Sequence, residues 1–195
     1  GKTESGTVWL DASKTSPYAF YQFWLNTADA DVYKFLRYFT FLDLVAIEEI
    51  EQSDNAAQGR RSAQGILAKA VTALIHGEAG VLAAERISQA LFSGDISQLT
   101  ENDLAQLALD GLPVHEVTAE SGMLAGLLVD AGLAVTPRGE VTLGQARKFI
   151  QEGAIQVNGI KVSDVTSEVG SKDALYGKYH LLRRGKKQFS LLVWR

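Results

Sequence analysis

Ala154-Ile155-Gln156-Val157-Asn158-Gly159-Ile160-Lys161-Val162 decides the architecture of the second half of this 195-residue chain. Apolar residues alternate on both sides of Asn158-Gly159, a dipeptide that accepts the positive φ angles of a tight hairpin turn. Just upstream, Thr142 reads as the N-cap of a helix from Leu143 to Glu152, which Gly153 ends. Downstream, Tyr179-His180-Leu181-Leu182-Arg183-Arg184, a turn at Gly185-Lys186, and Lys187 to Trp194 repeat the strand–turn–strand pattern. Between Pro113 and this region come a short extended piece (Val114 to Val117), a predicted helix from Ser121 to Ala131 and a basic turn at Pro137-Arg138-Gly139. Residues 121–195 therefore predict a small α+β domain, with a linker over 111–120 opened by Gly111-Leu112-Pro113.

Upstream the texture is helical. In Ser16-Pro17-Tyr18-Ala19-Phe20-Tyr21-Gln22-Phe23-Trp24-Leu25-Asn26, Ser16 reads as an N-cap with Pro17 at the first helical position. Tyr18, Tyr21 and Leu25 form one stripe and Phe20, Phe23 and Trp24 another, so this helix is expected to pack on two sides. A second helix is predicted from Thr27 or Asp29 through Phe39, and a third capped by Asp43 and carrying Leu44, Ile47 and Ile50. The stretch 53–59 reads as a polar loop, followed by a helix from Ser62 to His76, with Gly77 as its C-cap. Further helices cover Glu78 to Ser93 and Glu101 to Asp110, so residues 13–110 predict an all-helical domain.

Composition narrows the function classes. A hydrophobic fraction of 46% with 22% charged residues fits a folded globular chain. No unbroken apolar run reaches the roughly 18 residues of a bilayer span, and no signal peptide opens the chain. The absence of cysteine removes disulfides and thiolate metal sites, and fits a cytoplasmic protein. The polar start without Met predicts a fragment whose beginning lies upstream. The net charge of -4 conceals an asymmetry: residues 1–137 carry 8 Lys and Arg against 18 Asp and Glu, whereas 138–195 carry 11 against 5. A basic half beside an acidic one is a signature of polyanion binding, with an ordinary solvated basic face as the alternative.

Few residues suggest catalysis. His76, His115 and His180 are scattered, and nothing reads as a nucleophile–base pair or a metal site. The basic module is more informative. Arg147 and Lys148 flank apolar positions of one short helix, and Arg183, Arg184, Lys186 and Lys187 cluster at one hairpin tip. Together these six cations are expected to form one phosphate-neutralising surface. Arg138 in the basic turn joins them as a candidate. Arg60 and Arg61, beside the polar loop, are further candidates, with a solvated role as the alternative.

Lys14-Thr15-Ser16-Pro17-Tyr18, Phe20 to Trp24, Asn26 to Val32 and Phe39-Thr40-Phe41-Leu42 together resemble bacterial tyrosyl-tRNA synthetases. Gly1-Lys2-Thr3, ahead of Trp9-Leu10-Asp11, is similar to the end of that family's KMSKS-type loop. Residues 138–162, with Gly144-Gln145-Ala146-Arg147-Lys148 and Val157-Asn158-Gly159, resemble the RNA-binding fold named after ribosomal small-subunit protein four.

The resemblance covers essentially the whole chain and implies an α-helical anticodon-binding domain followed by that small α+β RNA-binding domain. Residues 1–12 would be a remnant of the loop and its connection. It implies a class I enzyme that activates tyrosine with ATP, with Mg2+ expected, and transfers it through tyrosyl-adenylate to tRNA(Tyr). Lys2 would steady charge developing on the pyrophosphate, with Thr3 closing the loop. The rest of the active site would lie outside this chain, which alone is expected to be inactive and to hold no cofactor tightly. The dimer contact of the family lies in the absent catalytic domain, so a homodimer is implied for the parent; neither DNA nor a membrane is implied as a partner.

In the helical domain, Asp29 and Asp31 are the candidates for reading the anticodon. An ionised carboxylate only accepts hydrogen bonds, and it can take two from the N1–H and N2–H2 edge of a splayed-out guanine. The alternative for Asp29 is simple capping of a helix. Two other readings of the chain remain: a non-enzymatic RNA-binding protein using the same small module, and a protein-interaction module with an acidic face. The aromatic segment 14–42 disfavours the first, and the basic tail the second.

Overall fold

The computed structural model describes residues 7–57 and 62–195, and the chain divides into two units, Gly1–Ser88 and Gln89–Arg195. In the first unit, α1 (Pro17–Leu25) starts as its sequence requires, with Ser16 Oγ accepting from Ala19 N–H at 3.0 Å. It does bury two sides. Phe20 (2% exposed) enters a core with Val32, Leu36, Ile47, Ala63, Leu67 and Val71, while Tyr21 packs with Ala68 and Ala84. Asp43 caps α3 (Leu44–Ala56), accepting from Ala46 N–H at 2.7 Å.

Two boundaries differ from the sequence reading. Helix α2 (Val32–Phe39) begins later than Thr27 or Asp29, because residues 28–31 close a turn first: Asp31 and Val32 N–H both donate to Ala28 C=O. Helix α3 runs on to Ala56, through residues read as loop. The polar Asp54 that suggested a loop is 4% exposed and works as an internal acceptor for Tyr33, Ser62 and Ala63.

Helix α4 (Ala63–Ser93) contains one non-helical residue, Gly77, at φ 70° and ψ 175°. This is the stop that the sequence placed there, followed at once by a new start. By length and composition alone α4 would suffice to cross a bilayer. Part of its apolar surface builds core: Leu67 and Val71 enter the Phe20 cluster, and Ala68 and Ala84 pack on Tyr21, while Leu74, Leu82 and Phe92 stay exposed.

In the second unit, α5 (Glu101–Gln106) carries a capping box: Thr100 Oγ1 accepts from Asp103 N–H while Asp103 Oδ2 accepts from Thr100 N–H. A π-helical turn, Leu107–Gly111, follows. The segment read as a linker then holds β1 (Val114–Val117), paired in parallel with β7 (Gln188–Trp194). Ser190 Oγ and Leu191 N–H both reach Pro113 C=O, so 113–117 is tied into the sheet rather than left as a connection. The predicted helix at Ser121 splits into β2 (Ser121–Met123) and α6 (Leu124–Asp130), since β2 pairs antiparallel with β5 (Glu168–Gly170).

Helix α7 (Leu143–Gln151) is capped by Thr142, and β3 (Ile155–Val157) and β4 (Ile160–Val162) meet at Asn158-Gly159, whose φ angles are 49° and 79°. With β6 (Tyr179–Arg184) the main sheet runs β1-β7-β6-β3-β4. One face of it packs with α6 and α7 over Ile155, Leu182, Leu192 and Trp194.

Candidate nucleic-acid interface

The β6–β7 hairpin carries four of the candidate cations, and strand geometry separates two of them. Successive residues of a strand leave opposite faces. Arg184 stands on the α7 side, where its guanidinium lies 4.7 Å over the Phe149 ring. Its Nη1 donates to Leu133 C=O at 2.7 Å and to Val135 C=O at 3.4 Å. Arg183 stands on the other face, 5.3 Å over Phe189, with Nη2 donating to Lys186 C=O at 3.2 Å and a buried Nε that has no partner among the described residues. The single six-cation surface expected from the sequence is therefore not formed.

What faces solvent at the tip is Lys186 and Lys187, both exposed. They border a shallow depression of about 570 Å³ whose floor includes Phe149 and Arg184. Phe149 belongs to α7, and Arg147 and Lys148 precede it there, both exposed. Lys148 Nζ is 3.9 Å from Glu152, an i,i+4 pair more than half exposed on both sides. Such a pair adds little stability and leaves Lys148 available to a phosphate. Arg138 is exposed in the turn that Gly139 (φ 87°) permits. Phe149 went unnoticed in the sequence, although an aromatic after a basic pair on an amphipathic helix is a usable signal.

In the first unit, Asp29 is exposed and its Oδ1 accepts from Gln64 Nε2 at 2.7 Å. The N-cap position of α2 falls on Asp31, whose side chain makes no capping bond. Gln64 therefore fixes one carboxylate oxygen of Asp29, an anchor that no local pattern revealed. Lys2, Thr3, Arg60 and Arg61 lie outside the described residues.

Asp54, near the end of α3, gathers donors from Tyr33, Ser62 and Ala63. Its carboxylate accepts from Ser62 N–H (2.7 Å), Ser62 Oγ (2.9 Å), Ala63 N–H (3.1 Å) and Tyr33 Oη (3.1 Å). Burial pushes its pKa up, but the hydrogen bonds from Ser62, Ala63 and Tyr33 outweigh that and hold it below the ordinary carboxylate value. His76 and His180 are both pushed down by desolvation. His180 accepts at Nδ1 from Trp194 Nε1–H at 2.7 Å, and His76 packs edge-on against Phe20 with ring centroids 4.9 Å apart. His180 is a core histidine and His76 a partly buried one, and among the described residues no group of three or more His, Asp or Glu is placed to hold a metal.

Residues 1–93 match a family model described as tRNA synthetases class I (W and Y), and residues 103–192 match one described as tyrosine–tRNA ligase SYY-like C-terminal domain. The chain is 56% identical over 195 residues to a tyrosine–tRNA ligase of Aliivibrio fischeri (strain MJ11), and 53% identical over 194 residues to one of Chromobacterium violaceum. Each alignment takes in 100% of this chain and 44% of the relative, so the chain spans less than half the length of these relatives. A solved structure described as a tyrosyl-tRNA synthetase C-terminal domain is 37% identical, with a TM-score of 0.41, covering 54% of this chain and 100% of that one.

Proposed function

Because this chain belongs to the tyrosine–tRNA ligase family, we propose that it is the tRNA-binding part of an enzyme that joins tyrosine to tRNA(Tyr). Supporting this reading above all is the exposed Lys186–Lys187 tip beside Phe149 on α7, in the segment matched to the family's C-terminal domain. Two exposed ammonium groups next to a guanidinium braced on an aromatic ring suit a sugar–phosphate backbone, which is gripped by charge rather than by sequence. Arg147, Lys148 and Arg138 extend the same basic half. Residues 121–195 are then a module of the ribosomal small-subunit protein four type, and residues 13–110 the anticodon-binding domain.

In that enzyme ATP is the co-substrate, with Mg2+ to neutralise its phosphates, and tyrosyl-adenylate is the intermediate. Lys2 and Thr3 close the phosphate-contacting loop, and the remaining chemistry belongs to a catalytic domain outside this chain, through which the parent dimerises. The compartment is the cytoplasm. Asp29 reads the guanine edge of the anticodon: Gln64 anchors its carboxylate, a group that only accepts and so suits the N1–H and N2–H2 donors. Arg60 and Arg61 hold phosphates of the same arm. Asp31, without a capping bond, is the second carboxylate available there.

Binding of the chain to tRNA(Tyr) and to a tRNA of different anticodon, in moderate salt, tests this. A preference for tRNA(Tyr) that Asp29→Ala removes is the expected result. Equal binding to both would strip the helical unit of its anticodon role, and no binding would overturn the reading.

A further inference from the structure

Asn158 and Tyr176 are the only non-glycine residues at positive φ among the described residues, at 49° and 54°, and both border one cavity of about 610 Å³ in the second unit. The hairpin turn explains Asn158, but a bulky aromatic residue rarely adopts this backbone. Tyr176 is nevertheless held there. Its hydroxyl donates to Leu99 C=O at 2.7 Å, while its side chain stays 55% exposed. A ring pinned at its tip and open to solvent is a ready stacking platform.

Polar groups of complementary type surround it. Asp95, on one rim, accepts from Ser97 N–H at 3.0 Å; hydrogen bonds from the Ser97 side chain and backbone keep its carboxyl below the ordinary range, so at neutral pH it only accepts. Asn158 lines the same cavity, and its Oδ1 accepts from Leu181 N–H at 2.9 Å, which makes the amide NH2 its group left to donate. Behind the wall at Gly94 lies the Arg183 guanidinium, so close that a Cβ on Gly94 would collide with it. Arg183 also has the buried Nε without a partner among the described residues.

We propose that this cavity takes one unstacked guanine nucleotide of a bound RNA, stacked on Tyr176, with Asp95 on its N1–H and N2–H2 edge and the Asn158 amide on O6. This rests on the RNA-binding reading above and deepens it. Guanine fits because it alone among the four bases offers two adjacent donors beside an acceptor. Adenine would turn the N1 lone pair towards the carboxylate, and uracil supplies one donor only. Arg183, packed against Gly94 of the cavity wall, adds a positive charge beside the site.

The test uses the 15N-labelled 195-residue chain with GMP, AMP and N-acetyl-arginine amide as probes, followed by amide chemical shifts. GMP should move amides of 94–99, 158–160 and 175–177 with a half-saturation at least fivefold below that of AMP. Asp95→Asn should erase the preference, since an amide replaces one acceptor with a donor. Tyr176→Asn tolerates the same φ and should weaken both nucleotides. Equal response to GMP and AMP, no response at these amides, or a stronger response to the arginine probe would each overturn the guanine site. Binding of the same sample to tRNA(Tyr) separates the two readings. If tRNA binds while GMP is silent, only this inference fails. If GMP binds specifically while tRNA does not, the RNA occupant and the proposed function fail together.

Discussion

Arg184 lies 4.7 Å over the ring of Phe149, and this contact ties the tip of the β6–β7 hairpin to α7. The same guanidinium satisfies the carbonyls of Leu133 and Val135, just beyond the end of α6. One half-buried cation thus joins three pieces of the second unit, while its neighbours Lys186 and Lys187 have no such duty.

That division separates stability from binding. Arg184→Ala should destabilise the chain by about 1–3 kcal/mol, through the lost hydrogen bond to Leu133 and the lost stacking on Phe149. Lys186→Glu with Lys187→Glu should leave the thermal midpoint nearly unchanged and reduce the magnitude of the salt slope of tRNA binding by about 1 per lysine. Melting curves and binding at several salt concentrations read both. A stability loss in the lysine double variant with an unaltered salt slope would reverse the assignment.

Asp54 should make the helical unit acid-sensitive. Its folded pKa lies below the unfolded value, so its contribution is fully present above about pH 4 and is lost as pH falls through the folded pKa. Asp54→Ala should cost about 2–3 kcal/mol at pH 7, because Ser62, Ala63 and Tyr33 lose their shared acceptor. Denaturant titrations at pH 7 and pH 3 should show the gap between wild type and Asp54→Asn narrowing at the lower pH.

His180 adds a second pH dependence with a different window. Burial depresses its pKa, so the unfolded chain binds the proton more readily; stability is full above about pH 6.5 and declines as pH falls towards the folded pKa. A protonated ring cannot accept from Trp194 Nε1–H. The Trp194 indole N–H signal should therefore stay in place while stability first declines below about pH 6.5, and shift only at the lower pH where the folded chain takes up that proton. An indole shift that precedes the loss of stability would contradict the assignment.

Gly77 offers a purely conformational test. A Cβ there would meet nothing within 4 Å, yet φ is 70°. Gly77→Ala should cost about 1–2 kcal/mol from backbone strain alone, without any packing defect. A stabilised variant would mean that the break in α4 closes when the residue allows it.

The sequence by itself determined what forms within a few residues. Ser16 with Pro17, Asp43, Thr142, Gly77 and Asn158-Gly159 each set a cap, stop or turn through bonds to near neighbours, and each is found where it was read. Period-2 alternation also dictated that Arg183 and Arg184 part company, although their adjacency in the chain suggested a single cluster. Tertiary structure alone decided which distant groups meet. The parallel pairing of Val114 with Leu191, the burial of Asp54 against Ser62, the grip of Gln64 on Asp29 and the seat of Arg184 on Phe149 join residues 8 to 77 positions apart. No local propensity encodes such contacts. They arise because a polar group removed from water must find a partner, and the partner is whichever group the packed elements bring within reach.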